Sequence, residues 1–238
     1  MQSQALSSTY SPVRPVAQAR RSGALAPRTL HEHFSLAPIR AIAAKEHAFT
    51  EGDPRLHLYR VEAGAICLYK VMPDGRRQVL GFAYPGDLIG LGACDLHHCN
   101  AQATKPSQLR SIPWSAVQRV ARHDPALGLR LYEAISLELA AAHDLLLTTG
   151  QRSAVERVAT FLLAMARRSQ RNGQDATVID LPMTRADIGD FLGLTIETVS
   201  RTFTKLRQLK IIDLAQSARV RILDCGALRG LAEGDAGL

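Results

Sequence analysis

The sequence predicts an α+β chain in which a strand-rich N-terminal half leads through one long helix into a helical C-terminal part closed by a hairpin. Three observations predict it. Short apolar runs broken by Gly, Pro and Asp fill Ala48 to Pro113, a helical apolar pattern runs from Asp124 to Gly150, and two coupled helical patterns followed by strand-like runs lie between Met183 and Leu223. With 238 residues, 46% of them hydrophobic, the chain has room for two domains with a core each.

Residues 1–28 are rich in Ser, Pro, Ala and Arg, lack an apolar period and are read as a flexible arm. They contain no continuous apolar core of a secretion signal, and nothing elsewhere approaches the roughly 18–20 apolar residues of a membrane helix, so no membrane contact and a cytoplasmic location are expected. Cys67, Cys94, Cys99 and Cys225 are irregularly scattered, which suits reduced thiols better than a disulfide framework. Lys and Arg exceed Asp and Glu by 29 to 22, and a pI near 9.6 favours a polyanionic partner such as nucleic acid or an anionic surface.

Residues 29–123 are assigned to the strand-rich domain. The runs His57–Val61, Ala65–Val71, Arg77–Ala83, Leu88–Leu91 and Leu109–Ile112 are closely spaced, as in a compact sandwich or barrel. Pro73-Asp74-Gly75 and Pro85-Gly86-Asp87 supply turn chemistry between them. Residues 124–150 read as one helix, with Asp124 as N-cap, Pro125 in the first turn and Gly150 as the stop. Leu127, Leu131, Ile135, Leu139, Ala142 and Leu146 form a stripe, which Ala134, Leu137, Ala141 and Leu145 widen. A helix buried in its own chain and a helix paired with a second copy both fit this pattern; its breadth favours dimerisation.

Residues 151–238 form the third region, opening with an amphipathic helix over Val155–Arg168 and a polar loop over Ser169–Ala176. The segment MTRADIGDFLGLTIETVSRTFTKLR, Met183–Arg207, then resolves into helix, tight turn and helix. Thr184 with Asp187 makes a capping-box-like start, Ile188, Phe191 and Leu192 give the first helix an apolar face, and Gly193 ends it. Thr195 caps the second helix, in which Ile196, Val199, Phe203 and Leu206 recur at docking positions.

The opposite side of that helix carries Glu197, Arg201, Thr204 and Gln208, flanked by Ser200 and Lys205. Arg can donate two hydrogen bonds to guanine, Glu can accept from the cytosine amine, and Ser can bond either partner. A merely solvated helix face would have a similar composition; the two-helix context and the hairpin expected from Ile211–Leu214 and Ala218–Leu223 around Gln216-Ser217 favour a winged helix-turn-helix on double-stranded DNA. Thr184, Arg185, Thr195, Thr198, Lys205 and Arg207 are assigned to the DNA backbone. No Gly-rich phosphate loop followed by Lys, nucleophile elbow or metal-hydrolase spacing is found, so no enzyme is expected.

GDLIGLGACDLHH at Gly86–His98, MTRADIGDFLGL at Met183–Leu194 and TIETVSR at Thr195–Arg201 resemble the Crp/Fnr family of bacterial transcription regulators, and the second and third especially its Fnr/FixK branch. The resemblance runs from about His31 to Leu223. It implies a cyclic-nucleotide-binding-like β-roll, a long dimerisation helix and a C-terminal winged helix-turn-helix domain. It also implies a homodimer on a TTGAT-N4-ATCAA-type palindrome, RNA polymerase as a further partner, and control of microaerobic respiration or nitrogen-fixation genes. In this branch the Glu, Ser and Arg of the E-x-x-S-R pattern face the bases, which here are Glu197, Ser200 and Arg201.

The same resemblance raises the question of a sensor. An Fnr-type iron–sulfur cluster takes cysteines near the N-terminus and a further ligand before the Ile-Pro of the last roll strand; the first cysteine here is Cys67, and Arg110 stands at the latter place. The family's cAMP pocket uses a Glu and an Arg-Ser pair, whereas the corresponding stretches here are Gly90-Leu91-Gly92 and Cys99-Asn100-Ala101. No cofactor is therefore expected. Cys94, His97, His98 and Cys99 could in principle ligate a metal or haem iron, but their close spacing leaves little room to converge, and no metal is assigned. A haem-, metal- or small-molecule-responsive regulator of the same fold is the alternative.

Overall fold

The computed structural model describes residues 30–92, 94–216 and 218–234, with the backbone alone at 125, 126, 215 and 216. The arm expected over residues 1–28 lies outside them. Helix α1 (Leu30–Leu36) leads into β1 (Ile39–Ile42), β2 (His47–Phe49), β3 (His57–Ala63), β4 (Ile66–Val71), β5 (Arg77–Ala83), β6 (Leu88–Ile89), β7 (Asn100–Ala103) and β8 (Ser107–Pro113). These strands form two four-stranded antiparallel sheets, in the orders β1-β8-β3-β6 and β2-β7-β4-β5. Ile42, Val61, Ile66, Ala101, Ala103 and Leu109 belong to the core that joins them. This is the β-roll the resemblance implies. The Asp74-Gly75 turn sits between β4 and β5, with Gly75 at φ 82°, a conformation that Gly adopts without a Cβ penalty.

Several elements were not legible as apolar runs. Strand β7 reads Asn-Ala-Gln-Ala, and only its small residues Ala101 and Ala103 turn inward. Helix α2 (Trp114–His123) buries Ala116, Val117 and Val120 ahead of the expected helix start. Asp124 is consequently the residue that ends α2, its amide donating to the Val120 carbonyl, while its own carbonyl accepts from Leu127 in the next helix. Helix α3 (Pro125–Gln151) runs through Gly150, which does not stop it.

Helix α4 (Ala154–Arg171) begins at Ser153, whose hydroxyl accepts from the Glu156 amide. Strand β9 (Val178–Asp180), helices α5 (Arg185–Leu192) and α6 (Ile196–Gln208), strands β10 (Ile212–Gln216) and β11 (Arg219–Ile222) and helix α7 (Cys225–Glu233) complete the chain. The hairpin β10–β11 takes β9 as a third strand, in the order β10-β11-β9. Helix α7 places Leu228, Leu231 and Ala232 in the same core as Val158, Leu162, Ile188, Val199, Phe203 and Leu206. Its signal was present in the sequence: Asp224 caps it through the Ala227 amide, and Leu228, Leu231 and Ala232 recur at helical spacing.

Along α3 the expected stripe divides. Leu127 is fully buried within its own chain, and Leu131 is half-buried against the cluster of Phe34, Leu58, Ile112 and Val117. Leu127 is therefore not available to a second copy, whereas Leu129 two residues on is exposed. Ile135, Leu139, Ala142 and Leu146 are exposed, together with Leu129, Tyr132, Leu137 and Leu147. Among the described residues no helix is long and apolar enough to cross a membrane.

Candidate nucleic-acid interface

The two-helix unit is fixed by local chemistry at each end. The Thr184 hydroxyl accepts from the Asp187 amide, and Asp187 Oδ2 in return accepts from the Thr184 amide and hydroxyl at 2.8 Å each, a complete capping box. Gly193 ends α5 at φ 64°, in the left-handed region where a Cβ is disfavoured. Gly189 permits the close approach of the two helices, since a Cβ there would lie 2.6 Å from the Leu194 carbonyl oxygen. Thr195 then caps α6 by accepting from the Thr198 amide.

Helix α6 buries Val199, Thr202, Phe203 and Leu206, and the Thr202 hydroxyl is satisfied by the Thr198 carbonyl at 2.8 Å. Ile196 departs from the expected docking set: it is 47% exposed. At the first position of α6 it is the backbone that packs, with the Ile196 amide nitrogen 3.6 Å from an ideal Cβ on Gly189. Glu197, Ser200, Arg201, Thr204, Lys205 and Gln208 are all exposed, and a shallow groove runs along Ser200, Arg201, Thr204, Lys205 and Gln208. The Glu197 carboxyl is held below its usual range by its own backbone amide, by the Thr195 hydroxyl and by the charge of Arg201 one turn away. It therefore presents an ionised acceptor beside a guanidinium donor at neutral pH.

Of the residues assigned to the DNA backbone, Thr184 and Arg185 stand at the start of α5, Thr195 caps α6, and Thr198, Lys205 and Arg207 lie on α6. Thr184, Thr195, Lys205 and Arg207 are exposed, and Thr198 is half-buried with its hydroxyl 3.0 Å from that of Thr195. Arg185 is half-buried, its guanidinium stacked over the Phe203 ring at 3.6 Å. That contact fastens α5 to α6 as well as leaving a cation near the helix pair. Two arginines that the sequence reading missed brace the unit from behind. Arg157 on α4 donates to the carbonyls of Leu192 at 3.0 Å and Gly193 at 3.4 Å, and so grips the turn itself. Arg77 on β5 reaches Asp187 at 2.8 Å.

These features coincide with what the chain resembles. The family model described as the Crp-like helix-turn-helix domain matches residues 156–231, and that of the cyclic nucleotide-binding domain matches residues 39–124. The transcriptional activatory protein AadR of Rhodopseudomonas palustris is 39% identical over 202 residues, 85% of this chain and 84% of that protein. The chain belongs to the Crp/Fnr family of transcription regulators. Within that family it is FixK-like and DNA-binding. The nitrogen fixation regulation protein FixK of Bradyrhizobium diazoefficiens is 39% identical over 187 residues, covering 79% of this chain and 78% of FixK. The solved structure of FixK2 from Bradyrhizobium japonicum superposes with a TM-score of 0.78 at 35% identity, over 85% of this chain and 99% of that one.

The residues that the resemblance sets against the family's effector ligands lie within the β-roll of this FixK-like protein. In the stretch that the resemblance sets against the Arg-Ser pair of cAMP-binding members, Cys99 and Ala101 point into the core of the roll, and Asn100 between them accepts from the Glu51 amide at 3.1 Å and donates to the Tyr69 carbonyl at 3.3 Å. Arg110 donates to the carbonyls of Ser35 and Ala37 and lies 3.6 Å from Glu62, which ties the end of α1 to the sheet. His97 is buried and stacked on Phe49 with ring centroids 3.7 Å apart, and burial lowers its pKa. Cys94 and His98 are exposed while Cys99 is buried, with its thiol pushed up to about 11, so the four candidate ligands do not share a face.

Proposed function

We propose that this chain is a cytoplasmic, non-catalytic transcription activator that binds a TTGAT-N4-ATCAA-type palindrome as a homodimer and recruits RNA polymerase to genes of microaerobic respiration or nitrogen fixation. The observation that carries the reading is the exposed face of α6, which gathers Glu197, Ser200 and Arg201 on one side of a helix whose other side is locked into the domain core. Glu197, Ser200 and Arg201 read base edges, and Thr184, Arg185, Thr195, Thr198, Lys205 and Arg207 hold the phosphates. The names of AadR, a transcriptional activatory protein, and of FixK, a nitrogen fixation regulation protein, support the activating role and the class of target genes.

Dimerisation through Ile135, Leu139, Ala142 and Leu146 supplies the two-fold symmetry a palindrome requires, with the two α6 helices in successive major grooves. DNA binding needs no bound effector in this reading. Selection of sites from random duplex DNA by the purified protein, with and without reductant, tests it directly. Enrichment of a palindrome with TTGAT-like half-sites, without any added ligand, is the expected result. Absence of any enriched sequence, or enrichment only after haem, metal or a small molecule is added, overturns it.

A further inference from the structure

The helix-turn-helix is not suspended from α3 and α4 alone. Strand β5 of the roll lies against α5, and a row of contacts joins them. Arg77 Nη1 stands 2.8 Å from Asp187 Oδ1 and 3.8 Å from Asp190 Oδ2, and Gln78 Nε2 donates to the Asp190 carbonyl at 2.8 Å. Phe82 meets Phe191 with centroids 5.6 Å apart. Beyond the strand, Arg168 of α4 pairs with Asp87 at 2.7 Å while stacking over Tyr84 at 4.2 Å.

Arg77 is the most constrained of these groups. Its guanidinium lies over the Tyr69 ring at 4.4 Å, and Nη2 donates to the Cys67 sulfur at 3.0 Å. Burial pushes the Cys67 thiol up to about 12, so the sulfur is a neutral acceptor and the charge of Arg77 is answered by Asp187. Asp187 divides its oxygens: Oδ2 closes the capping box with Thr184, and Oδ1 faces Arg77. The side chains are 29% and 10% exposed, which removes much of the solvent screening that makes surface ion pairs weak.

We propose that Arg77 is a positioning residue for DNA binding: by tying the capping box at the start of α5 to the β-roll, it sets the angle at which α6 meets DNA. Because α5 and α6 touch backbone to backbone at Gly189 and are fastened again by Arg185 on Phe203, an anchor on the first helix fixes the second. The reading face of α6 stays exposed while the anchor is closed. Arg77 acts through Asp187 and touches no base. This inference rests on the proposal that α6 reads DNA.

The test uses the full chain and a duplex bearing the selected palindrome, with Arg77→Met, Arg77→Lys, Asp187→Asn, the Arg77→Met/Asp187→Asn double variant, and Arg201→Ala alongside. An asparagine at 187 keeps the carbonyl that closes the capping box and loses the ion pair, so a folding failure of Arg77→Met would leave Asp187→Asn to decide. Arg77→Met and Asp187→Asn are each expected to weaken binding about tenfold, a typical size for coupling between two parts of a molecule. The salt slope stays at the parent value, since no phosphate contact is lost, and the active fraction in stoichiometric titrations is unchanged. The double variant binds no worse than the weaker single one, because both remove one shared contact, and Arg77→Lys recovers part of the loss. Parent-like affinity in Arg77→Met and Asp187→Asn, additive losses, a lowered salt slope or a loss explained by inactive protein overturns the proposal. If Arg201→Ala weakens binding while the Arg77 and Asp187 variants do not, only the anchor fails; if Arg201→Ala is also silent, the reading of α6 fails with it.

Discussion

Helices α3 and α6 each leave a long face uncovered, and the two faces carry opposite chemistry. On α3 the uncovered side chains include Ile135, Leu139 and Leu146, exposed by 51%, 56% and 68%, beside Tyr132 and Leu147. On α6 they are Glu197, Ser200, Arg201, Thr204 and Gln208, with Val199, Phe203 and Leu206 turned inward and Ile196 in the first turn the one large apolar side chain left exposed. Exposure alone does not name a partner; the hydrogen-bonding capacity of the exposed atoms does. A leucine face gains about 25 cal/mol for each Å² of apolar surface that another apolar surface covers, so it calls for protein. A face of carboxylate, hydroxyl and guanidinium loses by such cover unless every group finds a partner, which base edges provide.

The largest effect that can break this comparison comes from charging the α3 face. Ile135→Asp combined with Leu139→Asp places carboxylates where a second copy is proposed to pack, and an unpaired buried charge costs several kcal/mol. Dissociation to monomers in sedimentation equilibrium is expected. Affinity for a palindrome then falls about 100- to 10,000-fold, the range that linking two binding modules contributes. A variant that sediments like the parent would remove α3 from the interface and leave its exposed leucines without a role.

The two helices were also unequally legible in the sequence. For α6 the signals are local: a threonine cap at Thr195, the capping box of Thr184 and Asp187 one helix earlier, and Gly193 at a positive φ between them. Each depends on neighbours within a few residues, so spacing was sufficient. For α3 periodicity gives the stripe but does not divide it, because the burial of Leu127 and the exposure of Ile135 are set by packing against other elements, and α2, with Ala116, Val117 and Val120 turned inward, falls inside the 29–123 assignment without an element of its own. Strand β7 escaped because alanines that face a crowded sheet carry no hydrophobic-run signal. Arg77 and Arg157 were invisible for a different reason: their partners Asp187 and Leu192 lie far away along the chain, and no local pattern encodes such pairs. The motif in α5 and α6 was thus readable in advance, whereas what holds it in place was not.

On the α6 side the comparison is sharpened by single substitutions. Arg201→Ala and Glu197→Ala are each expected to cost about 1–3 kcal/mol on the preferred site and to relax base choice at one position, measured by competition binding against a panel of single-base variants. Both should leave the sedimentation behaviour of the parent intact. Equal losses on every sequence would reassign the two residues from reading bases to general attraction.

Lys205→Ala gives the smallest and most diagnostic change. Lys205 lies on the same exposed flank as Arg201 and lines the same groove. An ammonium on a flexible stem suits a phosphate better than a base edge. Its loss should therefore weaken binding to specific and random duplexes by the same factor, and the slope of log affinity against log salt should fall by about 1. If Lys205→Ala instead changes which base is preferred, the base-reading patch extends a full turn further along α6 than Glu197, Ser200 and Arg201.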